Sequence, residues 1–209
     1  MIDPVALTEP KQRREYNLVI PEFKFIFMPI YKAASSSINT VLKENYRRTW
    51  IFTRDNREVA AIIDDTWNVV TWTRHPLDRL VSAWRHLILR DDWYKPLKAC
   101  GMRGYMPFAE FVERVAECPD EEADKHFRSQ TAMLTYEDKL LPTHVWSFED
   151  LATGYNEFRG MVGFDTPETL PHINKRNDGT AWQQFYDGQT YALARGRYAD
   201  DLKTWYRNG

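Results

Sequence analysis

Two stretches of this chain repeat one arrangement: an apolar run, a turn carrying a cation, then a helix start rich in hydroxyls. In the first, Phe23-Lys24-Phe25-Ile26-Phe27-Met28 leads into Lys32-Ala33-Ala34-Ser35-Ser36-Ser37-Ile38. In the second, Trp67-Asn68-Val69-Val70-Thr71-Trp72-Thr73 leads into Arg74-His75-Pro76-Leu77-Asp78-Arg79-Leu80-Val81-Ser82-Ala83-Trp84. Short apolar runs dense in β-branched and aromatic residues predict buried strands. Strands that alternate with helices imply parallel pairing in a layered α/β fold. Ligands of such folds sit at the carboxyl ends of strands, where both segments fall. Free backbone N–H groups and the helix dipole favour negative charge there. Two such sites imply a ligand with two phosphate-like groups.

At 209 residues the chain fits one domain with a substantial core. A net charge of −2 gives no basis for nonspecific nucleic-acid binding, so a polyanion site must be a local cluster of Lys and Arg. No His/Cys/Asp/Glu cluster has metal-ligand spacing, and no metal is expected. The two cysteines, Cys100 and Cys118, are expected as reduced thiols because the rest of the chain reads as intracellular. Positions 1–16 are polar and hold no apolar segment of signal-peptide length, and no stretch approaches a membrane span. The expectation is a cytoplasmic protein.

No repeat or flexible linker divides the sequence. Residues 1–20 read as an N-terminal extension and 21–209 as one domain. Strands are expected at 23–28, 50–52, 67–73 and 143–148, the 50–52 strand being short. Helices are expected at about 36–48, 57–64, 76–88, 108–117, 119–134, after Glu149 and over 181–207. Pro76 suits a first helical position. The stripe Leu77, Leu80, Val81, Trp84, Leu87 and Ile88 leaves Ser82 on the other side of that helix.

The spacing excludes the commonest nucleotide sites. A Walker A loop needs Gly-x-x-x-x-Gly-Lys-Ser/Thr, yet no glycine precedes Gly101, and here the lysine comes before the hydroxyls. A Gly-x-Gly-x-x-Gly fingerprint is also absent. The chain instead resembles sulfotransferases that use 3′-phosphoadenosine 5′-phosphosulfate (PAPS). Their 5′-phosphosulfate loop follows the first strand and reads Pro-Lys-x-Gly-Ser/Thr-Ser/Thr. Their 3′-phosphate site is an Arg with a Ser eight residues on, the offset of Arg74 and Ser82. The Arg-x-Pro-x-x-Arg-Leu-x-Ser-Ala pattern is similar to the carbohydrate branch. So are Phe148-Glu149-Asp150-Leu151, Leu170-Pro171-His172-Ile173-Asn174 and Tyr198-Ala199-Asp200-Asp201.

The resemblance, over about residues 23–205, implies a single α/β domain with a central parallel β-sheet flanked by helices, in the P-loop-like sulfotransferase fold. It implies transfer of a sulfuryl group from PAPS to a hydroxyl of a carbohydrate or small molecule, leaving 3′,5′-adenosine bisphosphate. Lys32 would bridge the leaving phosphate and the sulfuryl group. Ala33, Ala34, Ser35, Ser36 and Ser37 would hold the 5′-phosphate, and Arg74 with Ser82 the 3′-phosphate. His126, in Lys125-His126-Phe127-Arg128, is the candidate base or acceptor ligand. Two positions depart from the pattern. Tyr31 stands in place of Pro, and Ala34 in place of Gly, which calls for an unstrained turn or a different path. Two alternatives stay open: a catalytically silent nucleotide-binding protein of the same fold, and a phosphoryl-transfer enzyme with an atypical loop.

Other residues carry weaker expectations. His75 should point away from Arg74, and His172 lies in a loop that could close over the ligand. His86 and His144 read as structural or exposed. Glu149 could orient a basic residue, with a helix N-terminal carboxylate as the plainer reading. Asp64 and Asp65 read as a helix C-terminal turn. Arg176, Arg195 and Arg197 could add positive potential. Residues 91–106 and 170–182 are the expected acceptor loops, where Trp93, Tyr94 and Tyr105 could stack on a ring.

Overall fold

The computed structural model describes residues 17–45, 51–53, 55–89, 100–163, 165–171 and 180–206. In chain order these form β1 (Asn17–Ile20), β2 (Phe25–Phe27), α1 (Ser35–Asn45), β3 (Ile51–Thr53), α2 (Asn56–Ile62), β4 (Asn68–Thr73) and α3 (Pro76–Leu87). There follow α4 (Phe108–Glu117), α5 (Gln130–Leu134), β5 (Thr135–Tyr136), β6 (Lys139–Leu140), β7 (His144–Ser147), α6 (Leu151–Met161), α7 (Gly188–Arg197) and α8 (Ala199–Trp205).

Five strands make one sheet in the order β3-β1-β2-β4-β7. β2 pairs with β4 and β4 with β7 in parallel, whereas β1 runs antiparallel to both β2 and β3. Four strands therefore point one way, and the expected α/β architecture is the observed one except at β1. That strand lies within the stretch read as an N-terminal extension. Residues 17–20 lie inside the sheet, with Val19 and Ile20 almost fully buried. The reversal follows from Pro21–Phe23, a single 3₁₀ turn closed by Lys24 in the left-handed region (φ 45°), which is short enough only for an antiparallel return.

The residues divide into two compact units. The first holds the five-stranded sheet with α1, α2 and α6. Its β4 is buried on both faces, as a central parallel strand requires. Trp72 sits within ring contact of Phe27, Phe158 and Trp146. Gly154 lets α6 approach β7 closely, since a Cβ there would meet Trp146 Cβ at 2.7 Å.

The second unit holds α3, α4, α7 and α8 around Leu77, Leu80, Val81, Phe111, Val112, Phe127 and Tyr198. Cys100 and Cys118 are joined here in a disulfide, which corrects the expectation of reduced thiols. The long helix expected from Pro119 is instead a chain of turns over 119–128, and only Gln130–Leu134 is helical. Side chains there hold backbone N–H groups that a helix would have paired. Asp124 accepts from His126 N, and Asp120 from Ser129 N, each at 2.9 Å.

Candidate active site

The second unit brings together Tyr31-Lys32-Ala33, the start of α3 and the turns before α5. The loop after β2 reaches Lys32 with φ 71° and Ala34 with φ 59°. Both lie in the left-handed region, and Ala33 between them does not. Alternation of left-handed and ordinary residues is the backbone pattern of anion-binding nests. Of the two alternatives at Ala34, an unstrained turn or a different path, the unstrained turn is not what forms. The chain keeps a glycine-type path with an alanine on it, which costs roughly 1–2 kcal/mol. Ala34→Gly relieves that strain and gives back about 0.5–1 kcal/mol in unfolded-state entropy. The expected outcome is a melting temperature higher by a few degrees in calorimetry.

α1 begins at Ser35, directly after this loop. Ser35 and Ser37 are buried and Ser36 is exposed, so the three hydroxyls are not equivalent. The Ser35 hydroxyl has no hydrogen-bond partner among the described residues.

Arg74 follows β4 and is held at both ends. Its backbone N–H donates to Gln130 Oε1 and its carbonyl accepts from Gln130 Nε2, each at 2.9 Å. Gln130 is fully buried and is fixed in turn by Asp201, whose Oδ2 accepts from Gln130 N at 2.9 Å. Asp201 Oδ1 accepts from Thr131 N at 2.7 Å. The Arg74 side chain donates from Nη1 to Lys32 O and from Nε to Asp78 Oδ2, both at 2.9 Å. Asp78 and Ser82 lie four apart on one face of α3, and Arg74, just before that helix, pairs with Asp78. Ser82 is half-buried and its hydroxyl has no partner among the described residues.

His126 is not the surface helix residue that a solvated reading would make it. Only 12% of its side chain is exposed, and Nδ1 lies 2.6 Å from Asp124 Oδ1. With a proton on Nδ1 donated to that carboxylate, Nε2 is left as the acceptor. Burial pulls the imidazole below the ordinary histidine value, and Lys32 is near enough to add to that; Asp124 opposes both without reversing them. Burial by itself would raise the Asp124 carboxyl, but the hydrogen bonds and charge from His126 hold it below the carboxylate range. At neutral pH the pair is therefore a neutral imidazole on a carboxylate. Tyr31, the residue at the departing Pro position, places its ring 5.0 Å from the His126 ring, and Lys125 Nζ sits 4.6 Å above it. His86 lies 5.2 Å from His126, ring to ring.

Lys32, Arg74 and His126 are thus brought together. The structure places the remaining candidates elsewhere or in supporting contacts. His75 stacks on Trp182 at 4.6 Å. Glu149 accepts from the Ser147 hydroxyl in the 3₁₀ turn before α6. Asp64 caps Thr66 N at 2.8 Å. Arg197 is tied to Asp120 and to Val115 O, and Arg195 leans on Tyr191 at the surface. Tyr105 is 61% exposed. Trp93, Tyr94, His172 and Arg176, with most of both expected acceptor loops, lie outside the described residues. Sequence reasoning missed Asp124, Gln130 and Asp201. The Asp-x-His spacing and the quoted Asp200-Asp201 pair were the signals at hand.

The sequence model of the sulfotransferase family matches residues 16–194, most of the chain. The chain belongs to the sulfotransferase family. Comparison with curated proteins and with solved structures returned no match. A sulfotransferase moves a sulfuryl group onto a hydroxyl-bearing acceptor, and the α/β sheet with its helices fits that family. Among the described residues of this sulfotransferase no helix is long and apolar enough to cross a membrane.

Proposed function

We propose that this sulfotransferase takes the sulfuryl group from PAPS and delivers it to a carbohydrate hydroxyl. The observation that carries the reading is His126, hydrogen-bonded through Nδ1 to Asp124 with Nε2 left as acceptor, and lying 5.0 Å ring to ring from Tyr31, the residue before Lys32. His126 accepts the hydroxyl proton as the acceptor oxygen bonds to sulfur. Lys32 stabilises the charge that builds on the phosphate oxygen as its bond to sulfur breaks. The transition state of such a transfer is loose, so positioning and charge supply most of the catalysis.

Two phosphate subsites are proposed, each on its own segment. The left-handed loop and the Ser35 hydroxyl suit a 5′-phosphate, and Arg74 with the Ser82 hydroxyl suits a 3′-phosphate. The carbohydrate acceptor rests on the resemblance of the Arg74 and Phe148 segments to that branch. A neutral histidine backed by a carboxylate supplies the base whose absence would favour a silent binder.

Calorimetric titration with 3′,5′-adenosine bisphosphate and 5′-AMP tests the donor site. Wild type is expected to prefer the bisphosphate strongly. Arg74→Ala should weaken it by one to two orders of magnitude, the worth of a charge-assisted contact of about 1.5–3 kcal/mol. Equal affinity for the two nucleotides would sink the reading. Transfer of labelled sulfate from PAPS to a panel of oligosaccharides then tests the acceptor.

A further inference from the structure

Arg79, in the first turns of α3, is 1% exposed. No carboxylate pairs with it among the described residues. A buried cation without a counter-ion is expensive unless every donor is satisfied. Here all three kinds of guanidinium nitrogen are used, and all on backbone carbonyls. Nε donates to Tyr31 O at 3.0 Å, Nη2 to Lys125 O at 2.9 Å and Nη1 to Arg128 O at 2.8 Å. Nη2 also touches Met133 Sδ at 3.9 Å.

Those carbonyls are not a random set. Tyr31 is the residue before Lys32, Lys125 is the residue before His126, and Arg128 closes the same turn. One planar fork therefore grips the backbone beside both members of the Lys32–His126 pair. The geometry of a guanidinium is fixed, so the spacing it imposes is fixed too. A merely space-filling residue would not need a charge here, and the turns at 31 and 125–128 have no regular ladder to set their separation.

We propose that Arg79 is a positioning residue, holding Lys32 and His126 at the separation that sulfuryl transfer needs. The proposal rests on the sulfotransferase reading of Lys32 and His126. It places Arg79 behind the reacting groups and gives it no contact with donor or acceptor.

The test compares wild type, Arg79→Lys and Arg79→Ala, the last with and without added guanidinium chloride at low millimolar concentration. Three readouts are taken: thermal unfolding, titration with 3′,5′-adenosine bisphosphate, and turnover of PAPS with water as the acceptor. In that turnover water's oxygen bonds to sulfur, the bond to the 5′-phosphate breaks, and sulfate and the bisphosphate are released. Arg79→Lys keeps the charge but not the fork. It is expected to bind the bisphosphate within a few-fold of wild type yet turn over about a hundredfold more slowly, the cost of roughly 1 Å of misplacement. Guanidinium should restore part of the Arg79→Ala rate. Turnover unchanged in a folded Arg79→Lys overturns the proposal. So does loss of binding, rate and fold together in both variants, which assigns Arg79 to stability alone. If wild type neither binds the bisphosphate nor consumes PAPS, the underlying sulfotransferase reading falls, and that result is visible without either variant.

Discussion

Lys32→Ala is expected to lower kcat for sulfuryl transfer from PAPS by two to three orders of magnitude while the protein still binds 3′,5′-adenosine bisphosphate. On the proposed assignment the ammonium acts where charge develops, on the oxygen losing its bond to sulfur. Removing one preorganised donor of that kind costs roughly 10²–10³ in rate. The lysine's backbone should survive the change. Its carbonyl is held by Arg74 Nη1, and the preceding carbonyl by Arg79 Nε, neither of which needs the side chain. The substitution keeps a Cβ at φ 71°, so the loop's path is not relieved or further strained. Steady-state rates and calorimetry on the same preparations check the split. A variant that loses binding and keeps its residual rate per bound donor would move Lys32 from the chemistry to the grip on the phosphate.

His126→Gln is expected to cost 10²–10⁴ in kcat, the usual span for removal of a general base. The pH dependence carries the sharper information. Burial holds the imidazole below the ordinary histidine value, so at pH 7 it is already the free base. The wild-type rate should be flat through neutrality and fall tenfold per pH unit only below that lowered value. In His126→Gln the acid limb should vanish. Asp124→Asn gives an opposed pair of effects. Asp124 raises the imidazole value, so its removal moves the acid limb to still lower pH, while loss of the tautomer's anchor lowers the plateau. A wild-type limb on the alkaline side instead, or one that survives in His126→Gln, would take the base away from His126.

The parts of this molecule that were legible in the sequence are those where one local rule suffices. Asn68–Thr73 is too apolar and β-branched to be anything but an interior strand, and Pro76 can open a helix but not sit inside one. Ser82 lies off the apolar stripe of α3, and it is half-buried with an unused hydroxyl. The setting of His126 was less legible because the turns of 119–128 carry helix-compatible residues. The helix is broken there by Asp124 and Asp120 capturing backbone N–H groups, a competition that composition does not decide. Arg79 was invisible for a related reason. An arginine on an amphipathic helix is ordinarily solvated, and only tertiary contacts reveal that three carbonyls surround it. β1 was absorbed into an expected extension because four residues, Asn17–Ile20, are too short a run to declare a strand without the partners that flank it.

The clamp on Arg74 also has an order in time. Gln130 grips the arginine's backbone, but Gln130 is itself fixed by Asp201, which lies 71 positions further along the chain. A ribosome adds about 5–20 residues each second. For several seconds after Gln130 has been made, the nascent protein therefore has its Arg74 clamp assembled in sequence but not yet locked. A chaperone or protease that meets it then meets a protein different from the finished one.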